Sequence, residues 1–334
     1  MLKLSRLLFV AALVAAPSLA HADHAAIGGS SNHAGPINTQ TAGTLPAGKF
    51  SAGLHSKYIQ SSPFNDVQLI EKASGHIHAH STDFAWVNSV NGSYGITEDF
   101  MATINVPYIY RENIRAGTHS HSGGITSNTV TDFGDSGGLG DISLMGKYRF
   151  LKNQGFESSV MFGLEIPTGS TDKSRDGVKM EAEHQPGSGS WNPAMGFAVS
   201  KQMGPWSFDA SLLYAWGMEG SQQTDLGDRA NYGIAVTHRI GGEDHDHGHG
   251  KIHKHEAWDL VLELNGEWFG QQQSSDRKND DSGGTVMYLS PGLRYTSGDA
   301  WAAHVSVGVP VRDAQRQGHP DTDFKITAGI GKAF

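Results

Sequence analysis

The chain has 334 residues, a formal net charge of −9, 43 glycines and no cysteine. The acidic balance excludes a nucleic-acid partner held by a basic face, and the missing cysteine excludes disulfides and thiolate metal sites. Its mean hydropathy of −0.38 has the look of a soluble protein, but half-polar strands would hide a β-barrel from any such average.

Lys3 and Arg6 precede an apolar run from Leu7 to Ala16, then Pro17 and Ala20-His21-Ala22. This is the pattern of a secretory signal peptide over residues 1–22, and its apolar run is too short to span a bilayer as a helix. No later run reaches helix-spanning length, so an exported chain of this kind is periplasmic, secreted or a barrel. Residues 23–48 are rich in Gly, Ser, Asn and Pro and have no period, which predicts a flexible periplasmic arm. The remainder, 49–334, carries the strands.

Period two starts at Phe50, Ala52 and Leu54 against Ser51, Gly53 and His55. A polar loop with His76, His78 and His80 follows, then a weakly patterned strand from Thr82 to Tyr94. Phe100 to Tyr110 alternates cleanly, and Arg115 to Gly137 reads as a long polar loop. Ile142 to Phe150 and Phe156 to Ile166 form a hairpin across Lys152-Asn153-Gln154-Gly155. Ser170 to Ser190 is a second long loop. Strands follow at Asn192–Met203, Trp206–Trp216 and Tyr232–Ile240, then a histidine-dense segment, 241–255. Trp258, Leu260, Leu262, Leu264 and Trp268 alternate with Asp259, Glu263, Asn265 and Glu267. Thr285–Thr296, Trp301–Arg312 and Phe324–Phe334 complete a set of about twelve.

Short connections alternate with long ones, and apolar faces end in aromatics such as Trp206/Trp216 and Trp258/Trp268. Both features predict an all-β, transmembrane antiparallel barrel in the bacterial outer membrane, with short periplasmic turns and long outer loops. A secreted β-sandwich would use shorter strands and more even loops, and no fixed repeat supports a propeller or solenoid. The polar faces then line a lumen, which places Lys147, Arg149, Glu157, Glu165, Arg239, Asp259, Glu263, Glu267 and Arg312 inside. A barrel of this strand number leaves a narrow interior.

Gly138-Leu139-Gly140-Asp141, Lys147-Tyr148-Arg149-Phe150, Pro167-Thr168-Gly169 and Gly187-Ser188-Gly189-Ser190-Trp191 occur in that order. The chain thereby resembles the outer-membrane transporter-like family associated with the meta pathway of phenol degradation. The resemblance implies an outer-membrane barrel without catalytic residues, whose members differ in substrate. The terminal strand ending in Phe334 resembles those that the barrel-assembly machinery receives, which implies that partner beside outer-membrane lipid.

The histidines depart from that pattern. His245, His247, His249, His253 and His255 alternate with carboxylates and glycines, a composition that suits Zn, Cu or Ni ions. Counting strands puts this block on the periplasmic side after the eighth strand. His76, His78 and His80 form a second candidate cluster and His119/His121 a third, all on outer loops, while His55 and His304 read as lumen residues. No Ser–His–acid spacing, G-x-S-x-G, phosphate loop or H-E-x-x-H occurs, so the expected protein is not an enzyme and requires no cofactor. The sequence therefore predicts a channel or transporter for small molecules or metal ions, with metal handling at the histidine block. The alternatives are a non-conducting metal-binding membrane protein and a lipid-modifying enzyme.

Overall fold

The alternation of apolar and polar residues becomes one closed sheet in the computed structural model, which describes residues 34–122, 125–241, 245–246, 252–253, 256–275, 277–297 and 301–334. The signal-peptide segment 1–22 lies outside these residues. Strands β1 (Phe50–Ser61), β2 (Phe84–Gly95) and β3 (Phe100–Ser122) run antiparallel from the amino end. Strand β4 comes in two pieces, Ile125–Leu139 and Ile142–Asn153, which pair with the outer and inner halves of β3 in turn. Then come β5 (Phe156–Ile166), β6 (Asn192–Met203), β7 (Trp206–Ala215) and β8 (Arg229–Gly241). The chain ends with β9 (Ala257–Phe269), β10 (Gly284–Thr296), β11 (Trp301–Asp313) and β12 (Thr322–Ala333). Each strand pairs antiparallel with its sequence neighbours, and β12 pairs with β1 from Ser51↔Ala333 onward, which closes the twelve-stranded barrel.

Burial follows the period. Leu260 and Leu262 are 46% and 51% exposed, whereas Asp259 and Glu263, their neighbours on β9, are 0% exposed. An apolar outside with a polar inside is the inverse of a soluble core and matches a lipid-facing belt. Phe50 stacks on Phe334, with ring centroids 4.4 Å apart, at one rim. Tyr214 stacks on Trp268 at 6.2 Å at the other. These are the interfacial girdles expected of such a barrel. Arginine in place of Leu262, at mid-height of β9, is expected to cost about 2–4 kcal/mol in a bilayer. Urea unfolding from lipid vesicles reads this, and a loss well under ~1 kcal/mol would take Leu262 off the lipid face.

Three expectations from the sequence change here. Arg115 to Gly137 is not a loop: β3 and β4 continue above the membrane as a ladder, with Thr118↔Thr129, Ser120↔Ser127 and His121↔Thr126. Both faces of that extension are polar, so no apolar alternation announces it. The first outer connection contains a helix, α1 (Asp66–Ser74), whose amino end is a capping box between Asn65 and Gln68. Its buried Leu69 and Ala73 pack on the extended hairpin, where a Cβ at Gly117 would stand 2.4 Å from the Leu69 carbonyl oxygen. Finally, residues 34–48 are not a free periplasmic arm. They enter the barrel, and Ile37, Ala42 and Leu45 are buried there.

Candidate functional site

Glu263 is the anchor of this inserted segment. Its carboxylate accepts the backbone N–H groups of Ile37 (3.3 Å), Asn38 (2.9 Å) and Thr39 (2.8 Å). Asn38 Nδ2 donates to it at 2.6 Å, and Thr327 Oγ1 donates to Asn38 Oδ1 at 2.9 Å from β12, three strands round the wall. From this apex the segment descends. Gln40 N donates to Ser211 Oγ (3.0 Å), Ala42 N to Ser200 Oγ (2.9 Å) and Lys147 Nζ to the Thr41 carbonyl (2.7 Å). It leaves at the turn end, where Gly48 N donates to the Gly95 carbonyl at 2.8 Å. Two strand glycines make room for it. A Cβ at Gly233 would lie 2.7 Å from Thr39 Oγ1, and one at Gly292 would lie 2.6 Å from Ile37 Cδ1.

Glu263 is the middle rung of three acids that β9 sends inward at every fourth residue, roughly 13 Å apart at strand rise. At the inner rung, Asp259 binds Arg239 Nε (2.7 Å) and Arg294 Nε (2.9 Å). At the outer rung, Glu267 meets Lys325 at 3.2 Å and Lys57 at 3.7 Å. Arg149 is bound by Asp99 (2.9 Å) and Glu157 (3.0 Å) at the turn end, and Glu165 pairs with Arg229. Arg312 departs from the expectation. It is exposed near the end of β11, past a bulge that β11 makes opposite Met287 and Tyr288 of the partner strand, and among the described residues it makes no ion pair. A bulge inserts an extra residue and shifts the facing of the residues beyond it.

Above the inserted segment, the connection 167–191 folds back into the mouth. Asp141 holds its two ends together, accepting Gly169 N at 2.9 Å and Ser188 N and Oγ at 2.7 and 2.6 Å. A Cβ at Gly169 would stand 2.6 Å from Gly187 Cα, so the approach requires glycine on both sides. The sequence segments around Gly140, Gly169 and Gly187 thus meet at one joint. From it the short helical turn Ala182–His184 hangs inward, and Glu183 separates two cavities. One is walled by Asn192, Met218, Arg229 and Phe269. The other is walled by Ile59, His80, Tyr288 and Pro320.

Histidines converge on that dividing wall. His80 Nε2 lies 3.0 Å from His78 Nδ1 and 3.1 Å from Glu183 Oε1. His184 Nε2 lies 2.9 Å from His80 Nδ1 and 3.5 Å from Glu183 Oε1. Glu181 reaches His78 at 3.4 Å and His80 at 3.5 Å. Burial, with His80 beside it, holds the His184 imidazole down at about 3. Burial alone would raise the Glu183 carboxyl, but His80, His184 and His319 outweigh it and hold the group well below the usual carboxylate range. The Glu181 hydrogen bond is the largest influence on His78 and raises it. His119 and His121 pair with each other at 3.0 Å on the extended hairpin. His55 and His304 lie 5.8 Å apart, centroid to centroid, in the lumen.

Of the predicted metal-binding block, His247, His249 and His255 lie outside the described residues. His245 and His253 are opposite each other in a two-residue ladder. The block connects β8 to β9 at the end of the barrel that carries the short turns, opposite the His80 cluster. Sequence reasoning put His78 and His80 in one cluster but missed Glu181, Glu183 and His184, because only the inward fold of 167–191 joins the two loops.

Residues 65–319 match the model of the family described as "Putative MetA-pathway of phenol degradation". The chain belongs to this family. Three of the segments that carry the resemblance are those that meet at the Asp141 joint. No curated protein matches the chain in sequence. Among solved structures, an outer membrane channel from Pseudomonas putida F1 is similar over 89% of this chain and 100% of its own, with 15% identity and a TM-score of 0.55. At that identity the likeness is one of fold, and with the lipid-facing belt it places this family member in the outer membrane. LpxR from Salmonella typhimurium (11% identity, TM-score 0.43, covering 84% of this chain and 99% of its own) is more distant. So is the Ralstonia pickettii toluene transporter TbuX (11%, 0.42, covering 86% of this chain and 90% of its own).

Proposed function

We propose that the barrel is an outer-membrane conduit for small, weakly polar aromatic solutes, exported by way of a signal peptide over residues 1–22 and closed on the periplasmic side by its own residues 34–48. The carrying observation is the division of the interior into two cavities at the outer mouth and a segment bonded into the inner half. That segment is held by hydrogen bonds to side chains such as Glu263, Ser211 and Ser200, not by strand pairing with the wall. It can therefore withdraw without unzipping the sheet. The first cavity offers Phe269, Met218 and Leu226 beside Asn192 and Ser190, a mixed lining suited to a ring with one hydroxyl. The family description, which names phenol degradation, supports that solute class.

Vesicles with a lipopolysaccharide outer leaflet test this, because that leaflet slows bare diffusion of aromatics. Phenol is expected to enter faster with the protein than without it, and Phe269→Ala with Met218→Ala is expected to reduce the gain. Equal phenol entry with and without the protein would reject the conduit.

A further inference from the structure

The His80 cluster is a set of metal donors that the conduit does not use. We propose that His80, Glu183 and His184 bind one divalent transition-metal ion of the zinc type, and that the ion ties the first outer connection to the third across the mouth. The three side chains are buried, and one donor atom of each lies within 4.8 Å of the others. Glu183 Oε1 stands 3.1 Å from His80 Nε2 and 3.5 Å from His184 Nε2, close to the roughly 3.3–3.5 Å that donors show about a tetrahedral ion with bonds of about 2.0–2.1 Å. Two imidazoles and one carboxylate, with a fourth position free for water or another donor, form a common three-residue zinc set.

A second observation points to a cation. Glu183 Oε1 is buried and has no hydrogen-bond partner among the described residues, while Glu183 Oε2 accepts the Gln272 amide. One oxygen is thus oriented by an outer residue, as carboxylate ligands are, and the other is aimed at the imidazoles. The backbone around each ligand is fixed in advance. His80 pairs with Ala116 on β3 and donates its N–H to the Gly318 carbonyl at 2.9 Å. The His184 carbonyl accepts Ser136 Oγ at 2.8 Å. The cavity walled by Tyr288 and Pro320 reaches His80, Glu183 and His184, which gives the ion a route. His78 and Glu181 stand outside this trio and share only His80 with it. This inference does not depend on which solute the barrel carries.

The histidine block at the other end is expected to chelate metal by itself, so the test needs a readout confined to the mouth. Arg175 and Lys179 are exposed on the third outer connection and are trypsin sites. With the full-length mature protein in detergent micelles, micromolar Zn²⁺ is expected to slow cleavage after these residues at least tenfold. Replacing 242–255 with a Gly-Ser turn is expected to leave the protection intact. Glu183→Gln, His184→Ala and His80→Ala are each expected to abolish it, with barrel integrity verified by the heat-dependent shift on a gel. Glu183→Gln keeps the shape and the Gln272 contact, so it separates loss of ligand from loss of fold. Unprotected wild type, or protection that survives in both Glu183→Gln and His184→Ala, would overturn the proposal. Protection lost in His78→Ala or Glu181→Gln but kept in His184→Ala would overturn the assignment to the buried trio.

Discussion

Deleting residues 34–45 is expected to turn a barrel of very low conductance into an open one in planar bilayers. The segment fills the inner half of the lumen from the Asn38–Glu263 apex down to the Thr44 contact with the Glu98 carbonyl at 2.7 Å. No strand of the barrel is lost with it, since its links are to side chains and to the turn end, so the wall is expected to remain. A milder change tests the same device. Glu263→Ala leaves three backbone N–H groups without their acceptor, and the Asn38 amide with Ser306 Oγ alone. Each such group left buried costs about 1–3 kcal/mol, so two are enough to shift seated against withdrawn states by roughly a hundredfold. Frequent openings of wild-type size are expected from Glu263→Ala and a steady open level from the deletion. Unchanged conductance in the deletion variant would show that the segment is not the barrier.

The strands were legible because each one repeats a two-residue period, and the lipid-facing belt made that period unambiguous. Residues such as Leu262 and Glu263 could not exchange faces without burying a charge in hydrocarbon. The inserted segment was not legible for the opposite reason. Residues 34–48 have no period, and many of their bonds are made by backbone groups, which carry no sequence signal. A signal for them lay elsewhere, in Gly233 and Gly292, since glycine inside a strand often marks close approach of another backbone. Glu263 likewise read as a charge awaiting a base, whereas its partners are amides.

The outer mouth divides in the same way. The family motifs placed Gly140, Gly169 and Gly187 in order along the chain, but not the fact that Asp141 draws them into one joint. The His80 cluster needs that joint, because Glu183 and His184 reach the mouth only on a connection folded inward. Arg312 failed for a local reason, a bulge on β11 that period counting does not register. Arg229, Arg294, Lys57 and Lys325, the bases that match the lumen acids, were not singled out, because residues on other strands pair by barrel register and not by sequence distance.

Asp259→Ala is expected to be the most destabilising single change in the barrel wall. Asp259 is fully buried and is the shared acceptor of two guanidinium groups, with Arg239 at 2.7 and 3.0 Å and Arg294 at 2.9 Å. Removing it leaves two cations facing each other at the inner end of the lumen, where the inserted segment also passes close to Arg294 beside Gly35. Breaking a buried pair from one side costs about 3–5 kcal/mol, because the surviving charge keeps its desolvation cost and loses its compensation. Here two charges survive and repel, while Asp209 still acts on Arg294, so a loss within that range is expected. Asp259→Asn keeps the shape and an acceptor oxygen but not the charge, and is expected to recover only part of the loss. Urea unfolding of vesicle-inserted protein gives the free energies directly. The triple variant Asp259→Ala, Arg239→Met, Arg294→Met is expected to be more stable than Asp259→Ala alone, since it removes the two mutually repelling charges together with their shared acceptor. If the triple variant were no more stable than the single one, the loss would come from packing around Asp259 and not from the stranded charges.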